Sequence, residues 1–119
     1  MSRIVVADDD AGVRGTLVAL LADAGHAVTA AADGERAYST ARSEHPDTLL
    51  LDLDMPKVDG LEVCRRLKSN PQTADIRIII LTGHTHQNDR QRSFQVGADE
   101  FLEKPIHESA LLERIESGS

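Results

Sequence analysis

Three short apolar runs and one mixed segment of this chain each end in a group that could take part in polar chemistry. Ile4-Val5-Val6-Ala7 runs into Asp8-Asp9-Asp10, and Thr48-Leu49-Leu50-Leu51 ends in Asp52. The run from Ile76 to Leu81 ends in Thr82-Gly83, and Asp99 to Glu103 leads to Lys104-Pro105. Runs this short, without helical spacing, read as buried strands. In an α/β protein, a strand that carries one Asp at its C-terminal tip delivers it to the edge where ligands bind. Asp52 is therefore the first candidate for chemistry. If the first and third strands are neighbours, Asp8 and Asp9 meet it there. Three carboxylates so close repel one another unless a cation joins them, and oxygen donors of this kind select a hard ion, Mg²⁺ above all. Lys104 adds a fixed positive charge and Thr82 a hydroxyl. Together these groups suit a phosphoryl group arriving on a carboxylate oxygen.

The elements that must position these residues alternate along the chain. After the first strand, Val13, Leu17, Leu20, Leu21 and Ala24 recur at helical spacing, and Gly25 follows as a C-terminal cap. His26 to Ala31 supplies a second strand, and Asp33 can cap a helix over 35–43 that is weak in propensity. The third strand ends at Asp52. The helix after it presents Leu61, Cys64 and Leu67 on one face and stops at Asn70-Pro71. The helix after the fourth strand, 88–96, is almost wholly polar, with Phe94 and Val96 as its expected anchors. Gly97-Ala98 closes it, and Lys104-Pro105 leads into a last helix with Leu111, Leu112 and Ile115. Five strands alternating with five helices predict an α/β fold, a parallel sheet with helices on both faces and the strand order 2-1-3-4-5.

The totals bound the rest. At 119 residues the chain is long enough for one packed core, so one domain over 1–119 is expected, with Ser117-Gly118-Ser119 as a loose tail. A net charge of −7 and only three aromatic residues disfavour direct nucleic-acid binding. No apolar run approaches the ~20 residues of a membrane span. The N-terminus reads directly into a strand, which is the expectation for a chain without a signal peptide. The single Cys64 rules out an internal disulfide framework and suits the cytoplasm.

Taken in order, Val6-Ala7-Asp8-Asp9-Asp10, Leu51-Asp52-Leu53-Asp54-Met55-Pro56 with Asp59-Gly60, Ile80-Leu81-Thr82-Gly83, Gly97-Ala98-Asp99 and Phe101-Leu102-Glu103-Lys104-Pro105 resemble the receiver domain of two-component response regulators. The resemblance covers essentially the whole chain. It implies the flavodoxin-like, CheY-like (βα)5 fold. It also implies that Asp52 accepts a phosphoryl group from a sensor histidine kinase or a histidine phosphotransfer protein. By the same resemblance Asp9 and Asp52 bind Mg²⁺ (or Mn²⁺ in its place) through side chains, Asp54 through its backbone carbonyl, and Asp8 chiefly through water. Thr82 bonds the phosphoryl oxygen and draws in the loop after strand 4, Lys104 pairs with the phosphoryl group, and the bond to Pro105 is cis. Phe101 takes the place of a rotating switch aromatic; lacking a hydroxyl, it could signal through packing alone. Gly83 leaves an opening to the site, and His84, with Asp54, tunes attack by water. The implied partners are a kinase, a downstream output domain or target, and a phosphorylation-linked homodimer. The segments around 64–71 and 97–105 look like receivers joined to cyclic-di-GMP enzymes.

Plainer readings stand beside these. Asp8-Asp9-Asp10 could simply cap the first helix; with Asp52 and Lys104 on the same edge, only Asp10 is left with that role. His84-Thr85-His86 lacks the further ligands a transition metal needs. Cys64 fits a core position, as do Leu111, Leu112 and Ile115, one of which could instead be left for dimerisation. The rival from another class is a haloacid-dehalogenase-like phosphohydrolase with Asp52 as nucleophile, since Asp52-Leu53-Asp54 fits its Asp-x-Asp motif. Met55-Pro56 and the position of Asp52 on the third strand argue against it.

Overall fold

A computed structural model describes residues 2–53, 55, 59–83, 89–104 and 106–117. The expectations for Asp54, His84 and the cis bond at Pro105 fall outside these residues.

The strands are β1 (Arg3–Ala7), β2 (Ala27–Ala31), β3 (Thr48–Asp52), β4 (Arg77–Thr82) and β5 (Glu100–Glu103). Between and after them run α1 (Ala11–Asp23), α2 (Gly34–Glu44), α3 (Gly60–Ser69), α4 (Asp89–Gln95) and α5 (Glu108–Ser117). All pairings are parallel and the order is β2-β1-β3-β4-β5, as the alternation predicts. α5 is helical through Ser117, the first residue of the expected tail; residues 118 and 119 lie outside the described residues.

The all-apolar strands follow from having two covered faces. Successive side chains of a strand point to opposite sides. Ile4, Val6, Leu50, Ile79 and Leu81 accordingly pack with Leu17 and Leu21 of α1 and Leu111 and Ile115 of α5. Val5, Ala7, Leu49, Leu51, Ile78 and Ile80 pack on the other side with Ala37 and Ala41 of α2 and Val63, Cys64 and Leu67 of α3. β3 is buried along its whole length. A fully buried Leu contributes roughly 2 kcal/mol, so a one-residue slip of this strand would misplace every contact on both faces at once. The register is thereby fixed. Ala7 lies beside Leu51 and Asp52 beside Leu81, so the next residue of β1's run, Asp8, faces the tip of β3.

Aspartates cap the first three helices. Asp10 accepts from the N–H groups of Gly12 and Val13 at 2.9 and 3.2 Å, which is the capping role expected of it. Asp33 accepts from Arg36 N–H at 2.8 Å, and Asp59 from Glu62 N–H at 3.0 Å. At the other end of α1, Gly25 turns the chain with φ 94°. α2 ends on His45 in the left-handed region at φ 48°, a stop that Pro46 only hints at from the sequence.

The anchoring of α4 differs from expectation. Phe94 is 43% exposed, with the Arg90 guanidinium 5.7 Å from its ring centre. The residue turned into the fold is Ser93, fully buried, whose hydroxyl donates to the Asp89 carbonyl at 2.7 Å. One residue is about 100° of helix, so placing Ser93 against the core swings Phe94 off it. A small side chain whose hydroxyl is satisfied within its own helix fits the close approach that a phenyl ring would block. Val96 does pack against the core.

Two glycines of contrasting surroundings test this packing. A Cβ on Gly60 would meet the Asp52 carbonyl oxygen at 2.5 Å and Leu53 Cα at 2.9 Å, both backbone atoms, whereas nothing lies within 4 Å of one on Gly15. Gly60→Ala is expected to cost about 1–3 kcal/mol by overpacking. Gly15→Ala, inside α1, should add ~0.5–1 kcal/mol by helix propensity. Urea unfolding of both variants reads the two signs.

Cys64 offers a second check. Burial pushes its thiol up to about 12, and thiolate is the reactive form. The folded protein should react with a disulfide reagent at about pH 8 at least tenfold more slowly than a chain unfolded in denaturant.

Candidate functional site

The parallel sheet brings the C-terminal ends of β1, β3, β4 and β5 to one rim. There Asp8, Asp9 and Asp52 each offer a carboxylate oxygen, and these oxygens all lie within 4.8 Å of one another. Asp8 and Asp52 are buried, at 1% and 4% exposure, while Asp9 is open to solvent. The cluster is thus a half-open bowl with two acids in the floor and one on the lip.

The positive charge expected opposite the acids is in place. Lys104 Nζ lies 2.7 Å from Asp8 Oδ2 and 3.8 Å from Asp52 Oδ1. Its approach is set by β5: Lys104 N–H donates to the Thr82 carbonyl at 2.8 Å, and Glu103 is paired with Thr82. The lysine stem then crosses Gly83, where a Cβ would sit 3.9 Å from both Lys104 Cβ and Cδ. The opening expected at Gly83 is therefore bounded by this stem.

Thr82 is buried at the end of β4, one residue beyond Leu81, the register partner of Asp52. Its side chain therefore belongs to the same rim. Phe101, next to Ile80 in the sheet, is buried in the core on the α2–α4 side. That is an inward position held by packing, as a ring without a hydroxyl requires.

Asp8 is held at several points. Its Oδ1 accepts from Asp10 N–H at 3.0 Å, its Oδ2 from Lys104, and its own N–H donates to the Ala31 carbonyl at 3.2 Å. Two features of the site are not evident from the sequence. Gly60 must be small because α3 begins against the backbone of Asp52, although Asp59-Gly60 reads only as a turn. Arg14, on α1, donates from its guanidinium to the Asp8 carbonyl at 2.7 Å.

The donor set fits a hard divalent cation. All three side chains are carboxylates, two are withdrawn from water, and the exposed third leaves room for retained water ligands. Buried acids this close are tolerable only with positive charge among them, and Lys104 supplies a single one.

Comparisons with known proteins agree with this geometry. A family model described as "Response regulator receiver domain" matches residues 4–116. The chain is 42% identical over 113 residues to the response regulator MprA of Mycobacterium avium, covering 95% of this chain and 49% of that protein. It is 38% identical over 115 residues to the "DNA-binding dual master transcriptional regulator RpaA" of Synechocystis, covering 97% of this chain and 48% of that protein. The chain thus spans about half the length of these curated relatives.

Among solved structures, the chemotaxis protein CheY4 of Vibrio cholerae superposes with a TM-score of 0.91 at 30% identity, over 98% of each chain. The receiver domain of the sensor histidine kinase PA1611 of Pseudomonas aeruginosa has a TM-score of 0.91 at 28% identity, over 99% of this chain and 98% of that one. It carries a magnesium ion coordinated in its active-site cleft. The phosphohydrolase alternative finds no support here, and Asp52 stands at the end of the third strand. The chain belongs to the response-regulator receiver domain family.

Proposed function

We propose that this chain is a phosphorylation-controlled receiver in which Asp52 accepts a phosphoryl group from a phosphohistidine on a sensor kinase or phosphotransfer protein. The observation that carries the reading is the meeting of Asp8, Asp9 and Asp52 within 4.8 Å, with the Lys104 ammonium 2.7 Å from Asp8. In the transfer an Asp52 carboxylate oxygen attacks phosphorus. The O–P bond forms as the P–N bond to the donor imidazole breaks, and the imidazole leaves with its electron pair. Lys104, already poised between Asp8 and Asp52, pairs with the arriving phosphoryl oxygens. The Thr82 hydroxyl donates to another of them.

Mg²⁺, or Mn²⁺ in its place, would be held by Asp9 and Asp52, by Asp8 through water and by the backbone of Asp54. When bound it neutralises charge on the phosphoryl oxygens. Gly83 keeps the approach open, and His84, with Asp54, tunes hydrolysis. The 119 residues act as one receiver unit, a phosphoryl relay of the cytoplasm. Its output domain or target is met through a surface that phosphorylation alters, directly or through a homodimer.

The output follows from the weakness of α4. This helix has seven residues and a single buried residue, Ser93. An element with so few apolar contacts belongs to the low-stability end of a fold and can shift at small cost. Movement of Thr82 toward the phosphoryl group, with repacking of Phe101, would bias the surface of α4, β5 and α5.

Two sets of measurements test the reading. Asp52→Asn and Asp52→Ala should both abolish labelling by acetyl phosphate, as should EDTA. Labelled Asp52→Ala protein would mean that another residue is the acceptor. Lys104→Ala should still label, but without the conformational response of the parent. That response is read by amide exchange, which should change across residues 84–101 on phosphorylation and stay unaltered elsewhere in the sheet. Unaltered exchange in 84–101 would remove the switching part of the proposal.

A further inference from the structure

We propose that Arg14 is a positioning residue for the divalent-cation site, acting through the peptide that joins Asp8 to Asp9. The inference rests on the cation reading of the acid cluster given above. Arg14 lies in the first turns of α1, half-buried, and its guanidinium donates to the Asp8 carbonyl at 2.7 Å. It makes no ion pair with a carboxylate among the described residues, so this bond is the main use of its charge.

The bond matters because of what that carbonyl belongs to. The carbonyl of Asp8 and the N–H of Asp9 share one planar peptide unit. A change in ψ of Asp8 that φ of Asp9 does not offset turns this unit and swings the Asp9 carboxylate relative to the other two. Asp8 is otherwise fixed: its N–H is tied to β2 through Ala31, Oδ1 to the Asp10 N–H, and Oδ2 to Lys104. Asp9 is exposed, and no comparable contact orients its side chain among the described residues. Arg14 therefore supplies what holds Asp9 on target. It is the kind of outer contact whose loss typically weakens a metal site 10- to 100-fold.

Electrostatics predicts the opposite sign, and this makes the inference testable. A guanidinium beside an acidic cluster repels a divalent cation, so its removal by charge effects alone would tighten binding. If Arg14 works by position, its removal loosens binding.

The experiment is Mn²⁺ titration of the intact chain, followed by the electron paramagnetic resonance signal of free Mn²⁺. It compares the parent with Arg14→Met, Arg14→Lys and Asp52→Asn, alongside urea unfolding of each. Arg14→Met should weaken Mn²⁺ affinity by about tenfold or more while its unfolding midpoint stays near the parent's. Arg14→Lys, which keeps the charge but not the planar guanidinium, should bind Mn²⁺ more tightly than Arg14→Met yet measurably more weakly than the parent. Unchanged or tighter binding in Arg14→Met overturns the proposal. Should that variant fail to fold, Arg14→Lys decides by itself: a measurable loss of affinity at full charge supports positioning, and parent affinity contradicts it. Failure of the underlying cation reading looks different, because the parent would then bind Mn²⁺ no more tightly than Asp52→Asn.

Discussion

Parallel strands all end on the same side of a sheet, and in this chain three acids sit at the ends of two neighbouring ones. Burying Asp8 and Asp52 beside Asp9 costs several kcal/mol of lost hydration per ion unless the charges are matched. Lys104 answers part of that requirement from β5, across 96 residues of sequence. Its 2.7 Å bond to Asp8 ties the last strand of the sheet to the first polar loop. The rest of the architecture follows from holding these groups against their mutual repulsion. β3 is buried on both faces, α3 starts in contact with the Asp52 carbonyl through Gly60, and Arg14 clamps the peptide between the first two acids.

Much of this frame could be read before any coordinates, because its signals are local. A continuous apolar run such as Thr48 to Leu51 has few alternatives to a buried strand, and an aspartate before a helical pattern, as at Asp10 and Asp33, caps it. The strand order then brings Asp8, Asp52, Thr82 and Lys104 to one rim without knowledge of a single side-chain contact. What escaped was non-local or a matter of rotation. Phe94 reads as an anchor because aromatic residues usually are. Whether it or Ser93 faces the core depends on how closely a seven-residue helix approaches the sheet. Gly60 reads as a turn residue until Asp52 is seen behind it, and nothing in the sequence marks Arg14 before the Asp8 carbonyl is found within its reach. In each case the missing information is a distance between residues far apart in the chain or on different elements.

Packing separates a firmly held part of the domain from a loosely held one. α1, α2 and α3 each bury two or more side chains against the sheet, and α3 is further tied down where Lys68 bonds the carbonyls of Ala74 and Ile76 and pairs with Asp99 at 2.8 Å. α4 holds on through Ser93 and the following Val96. Asp52 thus has stiff packing on the side of β1 and β3 and a weakly held helix beyond Thr82. Phe101, buried beside Ile80, stands between the two.

The most direct test of the central claim, that the three acids are arranged around a divalent cation, is anomalous scattering from a crystal grown with Mn²⁺. The account predicts one strong peak bounded by the carboxylates of Asp8, Asp9 and Asp52, with the Lys104 ammonium still on the far side of the bowl. A peak elsewhere in the molecule, or bare carboxylates with Lys104 alone between them at saturating Mn²⁺, would contradict it.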